Sequence, residues 1–203
     1  MKLYYLPGAC SLACHIVLEW IGKPYDVQPV ARDALRSPDY LKINPSGQVP
    51  ALIEEDGWVL TENVAILNYL IDRFPEAKLG GDGSPRVRAE VNRWLALLNS
   101  EVHPCFKPLF APQRFINDEA QHAPLQSTSR EKLRKLLERL DAQLADSEWL
   151  AGHRSVADAY LFVVLRWAKA KEVELHELEH LARFTARMHE DAGVKAAMQA
   201  EGL

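Results

Sequence analysis

The residues best placed to do chemistry come early, in Pro7-Gly8-Ala9-Cys10-Ser11-Leu12, between the apolar run 2–6 and a helix-like stretch over 11–21. A strand, a tight turn and a cysteine at a helix start bring a thiol to unpaired N–H groups and the positive end of the helix dipole. That setting lowers a thiol pKa from its free value of about 8.5. Cys10 therefore reads as a reactive or ligand-facing thiolate; the other reading is a small buried apolar residue. Cys14 follows four residues later on the same helical face and Cys105 stands apart, so the three form neither a C-x-x-C pair nor a disulfide framework. A second stretch, His176-Glu177-Leu178-Glu179-His180, matches H-E-x-x-H, in which two histidines on one helix face ligate zinc and the glutamate acts as base. It falls in a Glu-rich segment at a helix start with no third ligand. It reads as a solvated charged face, and no metal site is expected.

The 203 residues suffice for one large domain or two modest ones, each with its own core. A formal charge of −4 and a pI near 6.0 argue against a nucleic-acid partner, which would need a basic face. The apolar runs are too short and too often charged to cross a membrane, and the N-terminus reads as a strand rather than a leader. An odd set of three cysteines fits a reducing compartment, so the expected location is cytoplasmic.

The elements that must position these groups follow from periodicity. After the first strand and helix, 25–30 alternates like a strand, giving β-α-β with parallel pairing. Ser37-Pro38 opens a short helix stopped by Asn44-Pro45-Ser46-Gly47. Strands over 49–53 and 58–60 flank Asp56-Gly57, a hairpin signal, and Thr61 is expected to cap a helix closed by Pro75. Pro50 at a strand opening suggests an edge or a cis peptide. The Gly-rich stretch 78–84 is the expected linker between a domain over 1–77 and a domain over 85–203. Beyond it all is helical: a long stripe from Ser84-Pro85 that Pro104, Pro108 and Pro112 should end or kink, a polar connection over 114–128, and an amphipathic helix over 129–145. Ser155-Val156-Ala157-Asp158 has capping-box spacing before an apolar helix, with final helices over 175–190 and 194–200.

A β-α-β-α-β-β-α unit with this cysteine, followed by a helical domain, resembles a bacterial beta-class glutathione transferase. The likeness is carried by Lys2-Leu3-Tyr4-Tyr5, Pro7-Gly8-Ala9-Cys10-Ser11, Asn44-Pro45-Ser46-Gly47-Gln48-Val49-Pro50 and Leu60-Thr61-Glu62-Asn63-Val64-Ala65-Ile66. It continues in Ser100-Glu101-Val102-His103 and Val156-Ala157-Asp158-Ala159-Tyr160-Leu161-Phe162, and covers almost the whole chain. The fold it implies is α/β plus all-α: a thioredoxin-like domain, then a helical bundle. Cys10 would face the glutathione sulfur, with possible mixed-disulfide chemistry, and His103 would reach it from the second domain as a donor, acid or base. Val49, before a cis Pro50, would pair with the cysteinyl backbone. Glu62 and Asn63 would grip the γ-glutamyl end, although Glu62 alone reads equally well as dipole compensation.

Ser11, Ser100 and Glu101 complete the glutathione set, with Arg36 preferred over Arg32 for the glycyl carboxylate. Two departures stand out: Asn63 replaces the usual Gly or Ser, and Pro104 replaces a lysine after His103, removing a cation. Tyr5, Leu6, Phe106, Phe110 and Trp167 would line an electrophile pocket between the domains, and Asp158 is assigned to structure. The implied activity is conjugation of glutathione to small electrophiles, with glutathione as co-substrate, no further cofactor, and a homodimeric assembly. Rival readings are a glutathione-dependent disulfide reductase or dehalogenase, a non-catalytic binding module, and the zinc protease suggested by H-E-x-x-H.

Overall fold

The computed structural model describes all residues, 1–203. Four short strands, β1 (Lys2–Tyr5), β2 (Asp26–Pro29), β3 (Ala51–Ile53) and β4 (Val59–Thr61), form one sheet in the order β2-β1-β3-β4. β1 and β2 are parallel because α1 (Ser11–Ile21) crosses between them, while β3 runs antiparallel to both β1 and β4. At the β3–β4 turn Gly57 takes φ 87° and the Trp58 N–H donates to Asp56 at 2.9 Å. Ser37 caps α2 (Pro38–Ile43) by accepting from the Tyr40 N–H at 3.2 Å, and α3 (Asn63–Arg73) follows β4. This N-terminal domain is thioredoxin-like, and the helical domain follows it.

The helical domain comprises α4 (Pro85–Leu97), α5 (His103–Phe110), α6 (His122–Gln143), α7 (Val156–Ala170), α8 (Glu179–Glu190) and α9 (Ala192–Glu201). The long run is interrupted just before Pro104 and stops at Phe110, ahead of Pro112, as expected of these prolines. One π-helical turn, Leu98–Val102, joins α4 to α5, and Pro104 falls in the opening turn of α5, where its missing N–H is tolerated. α6 begins at His122 rather than Ser129, with Pro124 likewise in its opening turn. α8 begins at Glu179 rather than Leu175, because Glu177 takes φ 65° just before it. His176 therefore lies outside the helix that carries His180. The H-E-x-x-H histidines share no helical face, and nowhere do three His, Cys, Asp or Glu side chains converge as a metal site would require.

The two domains do not have separate cores. One apolar cluster of 45 buried residues runs from Leu3, Leu12 and Val17 through Val91 and Phe106 to Phe162 and Phe184. α7 is apolar nearly all round and lies at its centre. The capping box holds the start of α7: Asp158 accepts from the Ser155 N–H at 2.8 Å, the Ser155 hydroxyl at 2.9 Å and the Leu150 N–H at 3.0 Å. A second polar tie crosses between domains. Glu201, fully buried at the end of α9, accepts from the Gly8 N–H at 2.8 Å and meets His15 Nδ1 at 3.0 Å. The Trp167 indole donates to the Gly8 carbonyl at 2.8 Å.

Asp158→Ala strands two buried backbone donors, so it should lower unfolding free energy by about 2–4 kcal/mol in urea titration. Burial pushes the Asp158 carboxyl up to about 6, against the hydrogen bonds that lower it. A folded-state pKa above the unfolded one contributes stability that is complete below the unfolded pKa and lost as pH rises through the folded one. Wild-type stability relative to Asp158→Asn should therefore fall as pH rises from about 4 to about 6.

Candidate active site

The site is a cleft of about 460 Å³ between the end of the sheet and the start of α5. Cys10 opens it as the residue before α1, and its thiol donates to the Val49 carbonyl at 3.4 Å. The expected thiolate is not what this environment favours. Burial pushes the Cys10 thiol up to about 12 and the nearby Glu62 carboxylate adds to the rise; the Cys10 and Ser11 backbone N–H groups lower it too little to compensate. The thiol is a neutral hydrogen-bond donor at pH 7.

The start of α3 forms the next wall. Thr61 does not cap it; Glu62 does, at φ 69°, without a side-chain cap bond. The first-turn N–H groups are thus left without a side-chain acceptor, the setting in which a ligand anion binds. A non-glycine residue held at this φ is strained, by about 1–3 kcal/mol. Asn63 is buried beside it; its Oδ1 accepts from the Cys14 thiol at 3.2 Å, and its Nδ2 has no partner. Arg32 and Arg36 line the opposite lip, with Val49 and the cis Pro50 between. Gly47 at φ 62° lets the chain pass Arg36: a Cβ there would meet the Leu35 carbonyl oxygen at 2.7 Å.

His103 comes from α5. Its Nδ1 lies 2.6 Å from the Tyr160 hydroxyl of α7, which is itself 3.4 Å from Asn99 Oδ1. One hydroxyl proton serves the shorter contact better, so we assign it to Nδ1, which leaves Nε2–H for the cleft. Burial, then the charge of Lys107, pulls the His103 pKa down to about 4, and the ring is neutral at pH 7. The cation absent at position 104 is present one turn later as Lys107, which lines the cleft with Asn99 and Arg114.

Cys10, Arg36, Val49, Pro50, Glu62, Asn63 and His103 come together around this cleft, as does Arg32. The rest of the expected set does not reach it in this chain. Ser11 is buried, with its hydroxyl turned to the Leu6 backbone at 3.3 Å. Ser100 donates to the Ala96 carbonyl, and Glu101 pairs with Lys132 at 3.3 Å on the surface.

None of the five electrophile-pocket residues lines the cleft. Tyr5 is in the core with its hydroxyl on Ala200, and Leu6 is occupied by Ser11 at the backbone. Phe106 and Trp167 pack behind His103, whose ring centroid lies 4.8 Å from that of Trp167, and Phe110 stacks outside them with Lys171 over its face. Sequence reasoning missed Asn99 and Lys107, although both are four residues from His103 and so share its helical face. It also missed Tyr160, whose signal is a polar tip inside an otherwise apolar helix.

The comparisons agree with this architecture. The glutathione S-transferase N-terminal domain family matches residues 8–73 and the glutathione S-transferase C-terminal domain family residues 101–191. The chain is 51% identical to glutathione S-transferase GST-4.5 of Xanthomonas campestris over 100% of both chains. Among solved structures, the glutathione S-transferase of Xylella fastidiosa superposes with TM-score 0.95 at 50% identity, covering 100% of this chain and 98% of that one. A bacterial beta class glutathione S-transferase of Sphingomonas chungbukensis gives TM-score 0.89 at 38% identity over 100% of both. The chain belongs to the glutathione S-transferase family.

Glu62→Gly would release the φ strain while removing the only carboxylate in the cleft. Thermal unfolding should show stability unchanged or raised by up to about 1 kcal/mol, while the glutathione KM rises about tenfold or more. Loss of both together would show that Glu62 acts through the fold. Tyr160→Phe removes the bond that orients His103 and should lower kcat/KM about 5- to 20-fold, with little change in glutathione KM.

Proposed function

We propose that this protein is a beta-class glutathione transferase whose cleft binds glutathione along the N-terminal domain and activates its thiol between Cys10 and His103. The observation that carries the reading is the set of complementary groups around one neutral thiol. Glu62 suits the γ-glutamyl ammonium, and the unblocked start of α3 suits its carboxylate. Arg32 and Arg36 suit the glycyl carboxylate, and the Val49 backbone the cysteinyl part. We assign 1–77 and 85–203 as the two domains, joined through 78–84. A homodimer is also part of the reading, because Ser100 and Glu101 lie at the surface, where they would act only across an interface. Cytoplasmic residence rests on the three free cysteines.

In the reaction the glutathione sulfur loses its proton to solvent and forms a bond to an electrophilic carbon. Where a halide is displaced, it departs with the carbon–halogen electron pair. The Cys10 S–H and His103 Nε2–H donate to the thiolate, and Lys107 lowers the potential energy of its charge. Mixed-disulfide exchange at Cys10 is a second use of the same geometry, available once the thiol is deprotonated.

Conjugation of 1-chloro-2,4-dinitrobenzene and reduction of a glutathione mixed disulfide, on wild type and Cys10→Ala, test the reading. Cys10→Ala should lose disulfide reduction yet keep conjugation within about tenfold, the worth of one hydrogen bond. Wild type that binds glutathione and does neither would make the protein a binding module. Because His103 is neutral well below pH 6, kcat/KM should rise with pH on a single thiol limb, with no step near the ordinary histidine pKa of about 6.5.

A further inference from the structure

We infer that the second substrate carries a fixed negative charge, a carboxylate or its equivalent, and that Arg114 with Lys107 holds it. This rests on the transferase reading and names the substrate class of the same cleft.

The argument begins with charge. The chain as a whole is acidic, at −4, yet the cleft brings together four cations, Arg32, Arg36, Lys107 and Arg114, with one carboxylate, Glu62. None of the four forms an ion pair within 4.0 Å of a protein carboxylate, so their charges are not neutralised within the protein and stay available to a ligand. Glutathione carries one ammonium and two carboxylates. Glu62 answers the ammonium, the start of α3 one carboxylate, and the Arg32–Arg36 lip the other. Within one chain, the groups that answer the tripeptide's own charges therefore all come from the N-terminal domain.

Lys107 and Arg114 stand on the other wall, one turn after His103 and just beyond α5. Lys107 is close enough to His103 to lower its pKa and so serves the thiolate as well. Arg114 has no such task, and its guanidinium suits bidentate pairing with a planar carboxylate.

The apolar lining points the same way. Only 4 of the 17 lining residues are hydrophobic, and the aromatic side chains that would desolvate a neutral electrophile pack behind His103 or on the outer surface. A neutral apolar molecule would bury little surface here, whereas an anion meets two cations with no competing carboxylate. The charge is an anchor and does not react. Sulfur forms its bond at a separate electrophilic carbon, the leaving group takes the electron pair of the bond it breaks, and the carboxylate is unchanged in the product.

The test compares 4-chloro-3,5-dinitrobenzoate with its carboxamide, which has the same ring and leaving group but no charge. Each kcat/KM is divided by the uncatalysed rate with glutathione. Wild type should favour the benzoate by about tenfold or more, with the preference shrinking as salt is added. Arg114→Gln should remove most of that preference through the benzoate KM while changing the carboxamide by less than about twofold, and Arg114→Lys should restore part of it. Glutathione affinity, measured by calorimetry on Arg114→Gln, should be unchanged, which separates loss of the anchor from loss of the fold.

Equal handling of the two substrates by wild type, or an equal loss of both in Arg114→Gln, would overturn the inference and leave the transferase reading intact. Failure to conjugate either substrate, with glutathione bound, would overturn both.

Discussion

The carboxylate of Glu201 is buried between the last helix and the first loop, and the placement of the reactive thiol depends on it. A buried carboxylate is costly unless paired, so its position is determined by the two groups that satisfy it, His15 within α1 and the Gly8 N–H. With Trp167 taking the Gly8 carbonyl, both polar backbone groups of Gly8 are bonded to the helical domain. The loop that delivers Cys10 is thus held from α7 and α9 as well as from its own strand. The same contact between domains is continuous in the apolar cluster, so the turn before the thiol sits on a core that both domains share.

Within the cleft, burial outweighs the local dipole. The start of α1 offers N–H groups that favour a thiolate, yet the surrounding protein makes the charged form of Cys10 expensive and leaves it a donor. The same cost keeps His103 neutral. In the function proposed above, these two uncharged donors would offer a preorganised environment to a negative charge that arrives with the ligand. The cations lie at the edges, where water remains and their solvation cost is small.

Backbone geometry provides much of the recognition surface. Glu62 at positive φ turns the chain so that α3 begins without a side-chain cap, exposing the N–H groups that a capping serine or threonine would have consumed. Gly47 lets the Arg36 side chain pass close to the backbone. Strain and missing caps are tolerated here because the core behind them, centred on α7 and its Asp158 box, is large.

Much of this was legible in the residues. The β-α-β start, the Asp56-Gly57 turn, the Ser37 and Ser155 caps and the apolar helix at 156–170 follow from local rules, and the order of motifs identified the family. Cys10 was marked by the turn and helix start beside it, whereas Val49, Glu62, Asn63 and His103 were named only through the family resemblance; the structure brings all five around one cleft. Misplaced elements were those where a polar stretch read as a connection proved to open a helix, as at 122–128, and where Glu177 adopted a left-handed backbone that glycine usually takes. The side of a helix that faces a cleft is set by its neighbours. Thus Phe106 and Trp167 proved to be packing, and Lys107, Arg114 and Tyr160 came to the site unannounced. By itself the sequence determined the elements, the family and the thiol-bearing turn, because these depend on near neighbours in the chain. Only the tertiary structure decided the protonation of Cys10 and His103 and the charge of the cleft, because burial and long-range pairing depend on groups far apart in sequence.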